Sequence, residues 1–371
     1  MSRLQLLQTG QSDEWLAVLA RTLRHDAYHL PAYHALAEQQ GEGTAYLLAY
    51  SEREYTIALP LLVRPLEGVP GLERAGEGWR DGTSVYGYAG PLASHADVPP
   101  AVAANFQAAL LEALRELRVV SVFSRLHPFI PQSALLAGLG ELSLTGRKVS
   151  IDLTLPPDVQ RARYRDNHKR DINKLKRLGL CCVLDSEGEH LPVFIDIYHE
   201  TMHRVNAASS YFFDADYFNG LVSALGPHAR LFLCLHEGEI IAGGIFLVCD
   251  GIVQYHLGGT KDKYLELAPM KLVFDTVRLW ATEQGLEVFH LGGGVGGQED
   301  SLYRFKTGFS DRAHDFLTWR WTVVPDVYKH LQVEKVAWNN RNGLVEATDG
   351  YFPAYRCPTV PAQRYIAREE A

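Results

Sequence analysis

The stretch Val288–Phe309 reads VFHLGGGVGGQEDSLYRFKTGF. Its apolar start, Val288–Leu291, predicts a short buried strand. The strand runs into a loop with five glycines among the six residues 292–297, and a helix carrying Lys306 is predicted after the loop. Glycines let a ligand approach the backbone closely. The stretch therefore predicts a ligand site to which the helix supplies one fixed cation.

The elements before this stretch follow an order that occurs twice in the chain. In the second half, apolar runs and turns predict a hairpin, a strand ending in glycines, a helix starting at Pro269 and the strand from Val288. In the first half they predict a hairpin, a strand ending at Gly90-Pro91, a helix starting at Pro99-Pro100 and a further strand. The strand segments are Ala45–Tyr50, Tyr55–Val63, Val85–Leu92, Val119–Pro128, Leu231–Leu235, Ile240–Val248 and Ile252–Leu257. This order predicts an α/β (α+β) fold with two copies of one unit.

The predicted domains follow from this repeat. An alternating strand, Lys148–Leu155, connects the two copies. We place the boundary near Gly146, which gives domains 1–146 and 147–324. Residues 325–371 lack a regular pattern and are interpreted as a C-terminal extension that lies on the second domain, or as a partly ordered tail.

Composition narrows the class of protein. The 371 residues include 47% hydrophobic and 22% charged residues, as in an ordinary soluble globular protein. The chain has no apolar run of membrane-spanning length and no signal-peptide core at its start, so we expect no membrane span and a cytoplasmic location. The net charge of -8 argues against a general nucleic-acid binder and allows one local basic patch, so we expect no DNA partner. Five cysteines without a CxxC pair predict neither a disulfide framework nor a metal site.

A basic segment, Arg161–Gly179, carries eight basic residues against two acidic ones. On a helix, Arg170 and Lys174 fall in one sector and apolar residues cluster on the opposite side. The sector is either a solvated helix face or a site for the phosphates of a nucleotide-linked substrate or RNA.

Several single residues are candidates for the chemistry. Arg204 ends a predicted helix, where it is either a surface ion-pair partner or an anchor for an anion. His256 and His290 lie on neighbouring strands and either face one cleft, suited to proton transfer, or face the core. The candidate bases, between which the sequence does not choose, are Asp262, Glu299 and Asp300. Although Gly292, Gly294 and Gly297 match GxGxxG, the acids that follow and the antiparallel strands before them argue against a dinucleotide site.

Taken together, these segments resemble the FemAB-like branch of the GNAT-fold transferases, the peptidoglycan bridge-forming aminoacyltransferases and their relatives. The resemblance covers roughly the first 320 residues, and its last segment is the most specific. The matching segments are YGYAGP (86–91), NHKRDINKLKRLG (167–179), YHETMHRVNA (198–207), YHLGGT (255–260), APMKLVFD (268–275) and LGGG…SLYRFKTGF (291–309).

The resemblance implies two tandem GNAT-like domains, each a mixed, mostly antiparallel sheet flanked by helices. It implies transfer of an aminoacyl group from aminoacyl-tRNA to an amine of a nucleotide- or lipid-linked peptide, without a cofactor. Lys306 and Phe305 match the catalytic Phe-Lys pair, and Arg204 matches the arginine that holds the diphosphate of the acceptor. The predicted substrate-binding residues are Arg204, Tyr255, His256, Tyr303, Arg170, Lys174, Gly293 and Gly294.

One departure leaves the donor open. The bridge-forming enzymes carry a long helical arm linked to tRNA contact, and this sequence has no long charged heptad stretch. The first alternative is an acyl-CoA-dependent N-acetyltransferase, although the R/Q-x-x-G-x-G/A turn expected before the Pro269 helix is replaced here by TKDKYLELAPMK, 260–271. The second alternative is a non-catalytic twin-domain binding protein.

Overall fold

The computed structural model of the protein describes residues 3–130 and 133–362. The strands are β1 Arg3–Leu7, β2 Thr44–Glu52, β3 Tyr55–Pro65, β4 Arg80–Thr83, β5 Leu92–Ala93, β6 Val119–Arg125, β7 Glu141–Asp152, β8 Cys181–Asp185, β9 Ala229–His236, β10 Glu239–Cys249, β11 Ile252–Thr260, β12 Val288–Gly292, β13 Ala313–Thr322, β14 Leu344–Glu346 and β15 Thr359–Pro361. The α-helices are α1 Ser12–Leu19, α2 Pro31–Gln39, α3 Pro100–Glu116, α4 Pro157–Ala162, α5 Asp166–Arg177, α6 Leu191–Arg204, α7 Ala215–Leu225, α8 Met270–Glu283, α9 Ser301–Lys306 and α10 Pro325–Arg341.

The chain divides into two compact units. The first unit contains the residues up to Arg24, residues Tyr28–Leu144 and the chain from Leu317, and the second contains His25–Ala27 and Thr145–Phe316. Among the helices of the described residues, none is both long and apolar enough to cross a membrane.

The sheet of the first unit has the strand order β1-β2-β3-β4-β6-β13. Its neighbours are antiparallel except for β4 and β6, which are parallel. Helix α3 begins at Pro100 and buries Phe106 and Leu110 in a core with Leu59 and Trp319. The helix connects the two parallel strands, as a crossover between parallel strands requires.

The sheet of the second unit repeats this arrangement with the order β8-β9-β10-β11-β12-β7. Here β11 and β12 are the parallel pair, and the other neighbours are antiparallel. Helix α8 connects β11 to β12 and packs Phe274 against Phe246 and Phe289. The predicted α/β fold with two copies of one unit is confirmed.

The third strand of the first copy was predicted in the wrong place. The parallel strand is β4, Arg80–Thr83, whereas the predicted segment Val85–Leu92 is mostly irregular and contributes only Leu92 to the short strand β5. The reason is that β4 has no apolar pattern. Its Asp81 is fully buried and is neutralised by ion pairs with Arg64, at 2.8 Å, and Arg356.

The C-terminal segment also differs from the expectation. Instead of an irregular extension on the second domain, Pro325–Arg341 forms helix α10, which packs within the first unit. Its Leu331 is fully buried in a cluster with Leu66, and Lys335 Nζ donates a hydrogen bond of 2.8 Å to Pro70 O. The expected extension continues to residue 371, of which 363–371 lie outside the described residues.

The end of α9 is fixed against α5 by a close approach at Gly308. His168 of α5 is 4% exposed, and its Nε2 lies 3.0 Å from the carbonyl oxygen of Phe305. A Cβ atom at Gly308 would lie 2.2 Å from the His168 ring. Burial, followed by the charge of Lys271, lowers the pKa of His168 to about 4, so the ring is neutral. Residue 308 therefore has to be glycine for α9 to dock in this position.

We expect Gly308→Ala to lower the free energy of unfolding by about 1–3 kcal/mol, because the new methyl group forces the His168 ring or α9 to move. Urea titration at neutral pH measures the change. Gly68→Ala is the matched control, since nothing lies within 4 Å of a Cβ at that position. Equal stabilities of the two variants would show that the His168 contact does not constrain α9.

Candidate active site in the second unit

The glycine-rich loop is held to α9 by one carboxylate. Asp300 caps the helix, with Oδ1 accepting a hydrogen bond of 2.8 Å from Tyr303 N–H and Oδ2 accepting one of 3.0 Å from Val295 N–H in the loop. Burial acts to raise the pKa of the Asp300 carboxyl, but backbone N–H donors, those of Tyr303 and Val295 first, outweigh it, so the pKa lies below its usual value. Asp300 is therefore ionised, and its two hydrogen bonds hold the loop to α9.

Lys306 brings its amino group back to this loop, as the sequence predicts. The side chain is 5% exposed, and Nζ donates a hydrogen bond of 2.7 Å to Gly293 O. Nζ also lies 5.5 Å from the centre of the Tyr255 ring. Burial lowers the pKa of Lys306 to about 7; the charge of Lys148 acts in the same direction, and Asp300 opposes it. The amine thus changes charge near neutral pH.

A second lysine, Lys148 of β7, reaches the same glycine and was not recognised from the sequence as a site residue. It is 6% exposed, and a Cβ atom at Gly293 would lie 3.0 Å from its Nζ. Its Nζ also lies 4.1 Å from the centre of the Phe316 ring. The alternation of Lys148–Leu155 predicts a strand with one polar face in solvent, whereas Lys148 and Ser150 on that face are buried.

The two parallel strands stop pairing near Lys306, and the region between them beyond this point is called the opening here. The pairing of β11 with β12 ends at Gln254 and His290. Just beyond this point β11 has a bulge, since Leu257 pairs with Ile245 and Tyr255 pairs with Phe246, which leaves one extra residue. A Cβ at Gly258 would lie 2.5 Å from the Tyr255 hydroxyl, so this side chain leans along the strand on the face of Lys306.

His256, the residue after Tyr255 on β11, points to the opposite face, as successive residues of a strand do. The ring is 8% exposed, and its Nε2 lies 3.2 Å from the Tyr217 hydroxyl of α7. Burial lowers the pKa of His256 to about 3, so the imidazole is neutral at physiological pH. The structure therefore brings Tyr255 to Lys306, but not His256. His290, on β12, is fully buried.

Arg204, the last residue of α6, lies at the end of β11 that Thr260 forms. Its Nη1 donates a hydrogen bond of 3.1 Å to Thr260 O, and the guanidinium forms an ion pair with Asp262. The step from Tyr255 to Thr260 spans about 16 Å along a strand. In the part of the chain that the structure describes, no hydrogen bond, ion pair or ring contact joins Arg204 to Lys306.

A cavity of about 610 Å³ lies in the first unit. Its lining includes Arg320, Trp321, Tyr328 and Phe352, and it contains none of the predicted site residues. This cavity is therefore not the site that the sequence predicts.

The two aromatic site candidates of α9 contact the core. The Phe305 ring lies 5.5 Å from the ring of Phe274 and 5.6 Å from that of His168. Tyr303 is 7% exposed and belongs to the same apolar cluster. Both residues fix the helix from which Lys306 extends, and Phe305 is half-buried, with part of its ring accessible.

Arg170 and Lys174 lie on the exposed face of α5, as the helical pattern predicts. The opposite face buries Ile172 and Leu175. Across residues 3–130 and 133–362, the side chains of Arg170 and Lys174 have no hydrogen-bond or ion-pair partner. Two cations on this face are therefore available to an anionic partner.

The start of α8 does not present a row of unpaired donors. Residues Asp262–Leu267 form a 3₁₀ turn, followed by Ala268 in the left-handed conformation. In the first turn of α8, Lys271 N–H donates to Ala268 O at 3.0 Å and Leu272 N–H donates to Pro269 O at 2.9 Å. A helix N-terminus binds phosphate through free N–H groups. These two are already engaged within the turn.

Comparisons with known proteins agree with this geometry. Residues 162–307 match the family described as Acetyltransferase (GNAT) domain. The crystal structure of FemX shares 13% identity over 88% of this chain and 99% of its own, with a TM-score of 0.66. A conserved protein of unknown function from Bacteroides thetaiotaomicron shares 11% identity over 86% of this chain and 100% of its own, with a TM-score of 0.55. The C-terminal domain of a putative lysylphosphatidylglycerol synthetase from Agrobacterium fabrum shares 15% identity over 85% of this chain and 95% of its own, with a TM-score of 0.50. No curated protein matches the chain.

The fold and the site define a class of enzyme. The two units have the GNAT fold, and the GNAT match covers the segment that carries Arg204, Tyr255 and Lys306. The predicted resemblance is confirmed at the level of the fold, by the FemX structure together with the GNAT match. The protein is an acyltransferase of the GNAT fold.

The buried amine of Lys306 predicts a pH-dependent stability. Because its pKa is lower in the folded state than in the unfolded chain, the cost of burying the ammonium is complete below about pH 7 and disappears as the pH rises towards 10.5. The stability of Lys306→Met relative to the native protein should therefore fall as the pH rises from 6.5 to 9.5, by on the order of several kcal/mol.

Urea unfolding at the two pH values measures this difference. Lys329→Met is the control, because Lys329 is exposed and stays in water in both states. A difference between Lys306→Met and the native protein that does not change with pH would contradict a buried amine that loses its proton near neutrality.

Proposed function

We propose that the protein is an amide-forming aminoacyltransferase. It moves an aminoacyl group from aminoacyl-tRNA to an amine of a nucleotide- or lipid-linked peptide, or of another small acceptor. The observation that carries this proposal is the position of the Lys306 amine, which is held at Gly293 O beside the point where β11 and β12 separate. The likeness to FemX in fold supports it.

The geometry at Lys306 suits attack on an ester. A lysine amine has two or three N–H donors, depending on its charge, and one of them is used on Gly293 O. The others are available to the carbonyl oxygen of an ester bound in the opening. As the acceptor nitrogen bonds to the carbonyl carbon, this oxygen becomes an oxyanion and the hydrogen bond to it strengthens. The ester C–O bond then breaks. The leaving ribose oxygen takes up the proton lost by the amine and becomes a hydroxyl.

The proposed acceptor site lies at Arg204. The side chains of Arg204 and Asp262 are 26% and 53% exposed, so their ion pair is open to solvent. A diphosphate offers more acceptor oxygens than the Asp262 carboxylate does, and it takes over the guanidinium on binding. The separation of Arg204 from Lys306 along β11 fits an acceptor whose phosphates lie some distance from its reacting amine.

A transfer assay with aminoacyl-tRNA and a UDP-linked muropeptide tests the two roles separately. We expect Lys306→Met to lower kcat about 10²–10³-fold, as loss of an oxyanion donor does. Arg204→Ala should instead raise KM for the muropeptide about tenfold or more, because it removes charged hydrogen bonds to phosphate. Lys329→Met, on the exposed face of α10, is the control with unchanged kinetics. Full kcat in Lys306→Met would refute the site.

The donor is proposed to contact α5 through the exposed Arg170 and Lys174. The double variant Arg170→Ala/Lys174→Ala removes up to two phosphate contacts. It should therefore reduce the slope of log Kd for charged tRNA against log salt concentration by about 1.4–1.8. Filter binding between 50 and 200 mM salt measures the slope. Lys329→Ala/Arg341→Ala removes the same charge from exposed positions of α10 and should leave the slope unchanged.

Acyl-CoA is the second candidate donor, because the family matched by residues 162–307 is described as an acetyltransferase. The engaged N–H groups of Lys271 and Leu272 argue against a pyrophosphate at the start of α8. Calorimetry with CoA decides between the donors, since micromolar binding of CoA without binding of charged tRNA would replace the first proposal. A protein that binds the muropeptide and transfers from neither donor would be the twin-domain binding protein.

A further inference from the structure

Two buried amino groups meet at a single glycine. Lys306 approaches Gly293 from α9 and donates to its carbonyl oxygen at 2.7 Å. Lys148 approaches from β7, and its Nζ would lie 3.0 Å from a Cβ on the same residue. The two side chains are only 5% and 6% exposed. Placing two ammonium groups together away from water is unfavourable, so such a pair calls for an explanation.

Among the charged groups that act on Lys306, Asp300 is the one that favours its charged form. From the loop before α9, the Asp300 carboxylate faces Lys306, but its oxygens already accept hydrogen bonds from Tyr303 and Val295. From β11, Tyr255 presents the face of its ring, and the Gly293 carbonyl comes from the residue after β12. Lys148 and Asp300 are the two charged groups that act on Lys306. One ammonium and one carboxylate thus act on Lys306, in opposite directions.

The two lysines have different surroundings, which favours loss of the proton from Lys306. Lys148 Nζ lies 4.1 Å from the centre of the Phe316 ring, close enough for a cation–π interaction that stabilises its charge. Lys306 is farther from its ring, at 5.5 Å from Tyr255, and its hydrogen bond to Gly293 O can be made by a neutral amine as well. Repulsion between the pair is relieved when Lys306 becomes neutral.

We propose that Lys148 is a positioning residue that controls the charge of Lys306 and thereby makes Lys306 the proton carrier of the transfer. This inference rests on the proposed function for the reaction that it serves. The charge control itself is a property of the folded chain and is measurable without any substrate.

The proton is accounted for at each step. Neutral Lys306 Nζ takes a proton from the acceptor amine as the N–C bond forms, and the resulting ammonium lies beside the new oxyanion. When the ester C–O bond breaks, Lys306 gives this proton to the leaving ribose oxygen and returns to the neutral amine. A carrier that changes charge near the working pH suits both transfers.

The test is a pH titration of Lys306 reactivity in the full chain. Short pulses of acetic anhydride from pH 5.5 to 10.5, followed by mass spectrometry of the peptides, report the fraction of neutral amine at each lysine. We expect a midpoint for Lys306 near 7 in the native protein. A rise of at least one pH unit is expected in Lys148→Met, and little change in Lys148→Arg, which keeps the charge. The exposed Lys329 in the same digest is the internal reference.

The pH dependence of kcat should follow the labelling. Its acidic limb is expected near pH 7 in the native enzyme and at higher pH in Lys148→Met. At pH 7, kcat of this variant should then fall about tenfold for each unit by which the midpoint rises. A variant that only disturbed the structure would lower kcat at every pH without moving the limb.

The outcomes separate the inference from the function that it serves. A native Lys306 midpoint above 9.5, or a midpoint unmoved in Lys148→Met, overturns the inference even where aminoacyl transfer occurs. A shifted midpoint in a protein that transfers from neither donor supports the charge control and rejects the proposed function. If Lys148→Met does not fold, Lys148→Gln takes its place, and the native midpoint still decides.

Discussion

The site depends on one constraint, which is that a lysine amine is buried at a backbone carbonyl. Moving an amine away from water disfavours its charged form, and Lys306 has one hydrogen bond, to Gly293 O, and a single carboxylate, Asp300, to offset that cost. Several local features follow from this requirement. The loop is held on α9 by Asp300, and residue 293 is glycine where Lys148 passes. The structure around Lys306 therefore lowers the pKa of this amine to about 7, close to the point where the pairing of β11 with β12 ends.

The fold could be predicted from the sequence where its elements have a local pattern. The hairpins, α3, α8 and the strand from Val288 have apolar residues at the spacing of their own element, and the repeat appears in their order. Strand β4 has no such pattern, because its buried Asp81 is neutralised by Arg64 and Arg356, from distant parts of the chain. Helix α10 was missed for a related reason. Its buried Lys335 and Asn339 are polar, and their burial depends on tertiary contacts.

The candidate site shows the same limit at the level of single residues. The glycine-rich loop and Lys306 are contiguous in sequence, so their proximity could be predicted. Which face of β11 points to Lys306 could not be predicted, because adjacent strand residues face opposite sides and only tertiary packing brings Tyr255 to Lys306 and His256 to Tyr217. Lys148 is far from Lys306 in sequence, and only the pairing of β7 with β12 brings it to Gly293. Local patterns thus identified the segment that carries the site, and long-range pairing determined which side chains meet there.

Each acidic candidate for the general base either already accepts hydrogen bonds, forms an ion pair, or is exposed to solvent. Asp300 uses both of its oxygens on backbone N–H groups, and Asp262 is paired with Arg204 at the far end of β11. Glu299 is exposed on the loop. A carboxylate that already accepts strong hydrogen bonds holds its negative charge and takes up a proton poorly. The buried amine at Gly293 is in the opposite situation, because its surroundings disfavour its charge while its hydrogen bond is kept in either form. The proposed proton transfer is therefore better served by Lys306, which has a single carboxylate acting to favour its charge, than by an acid whose charge is already stabilised.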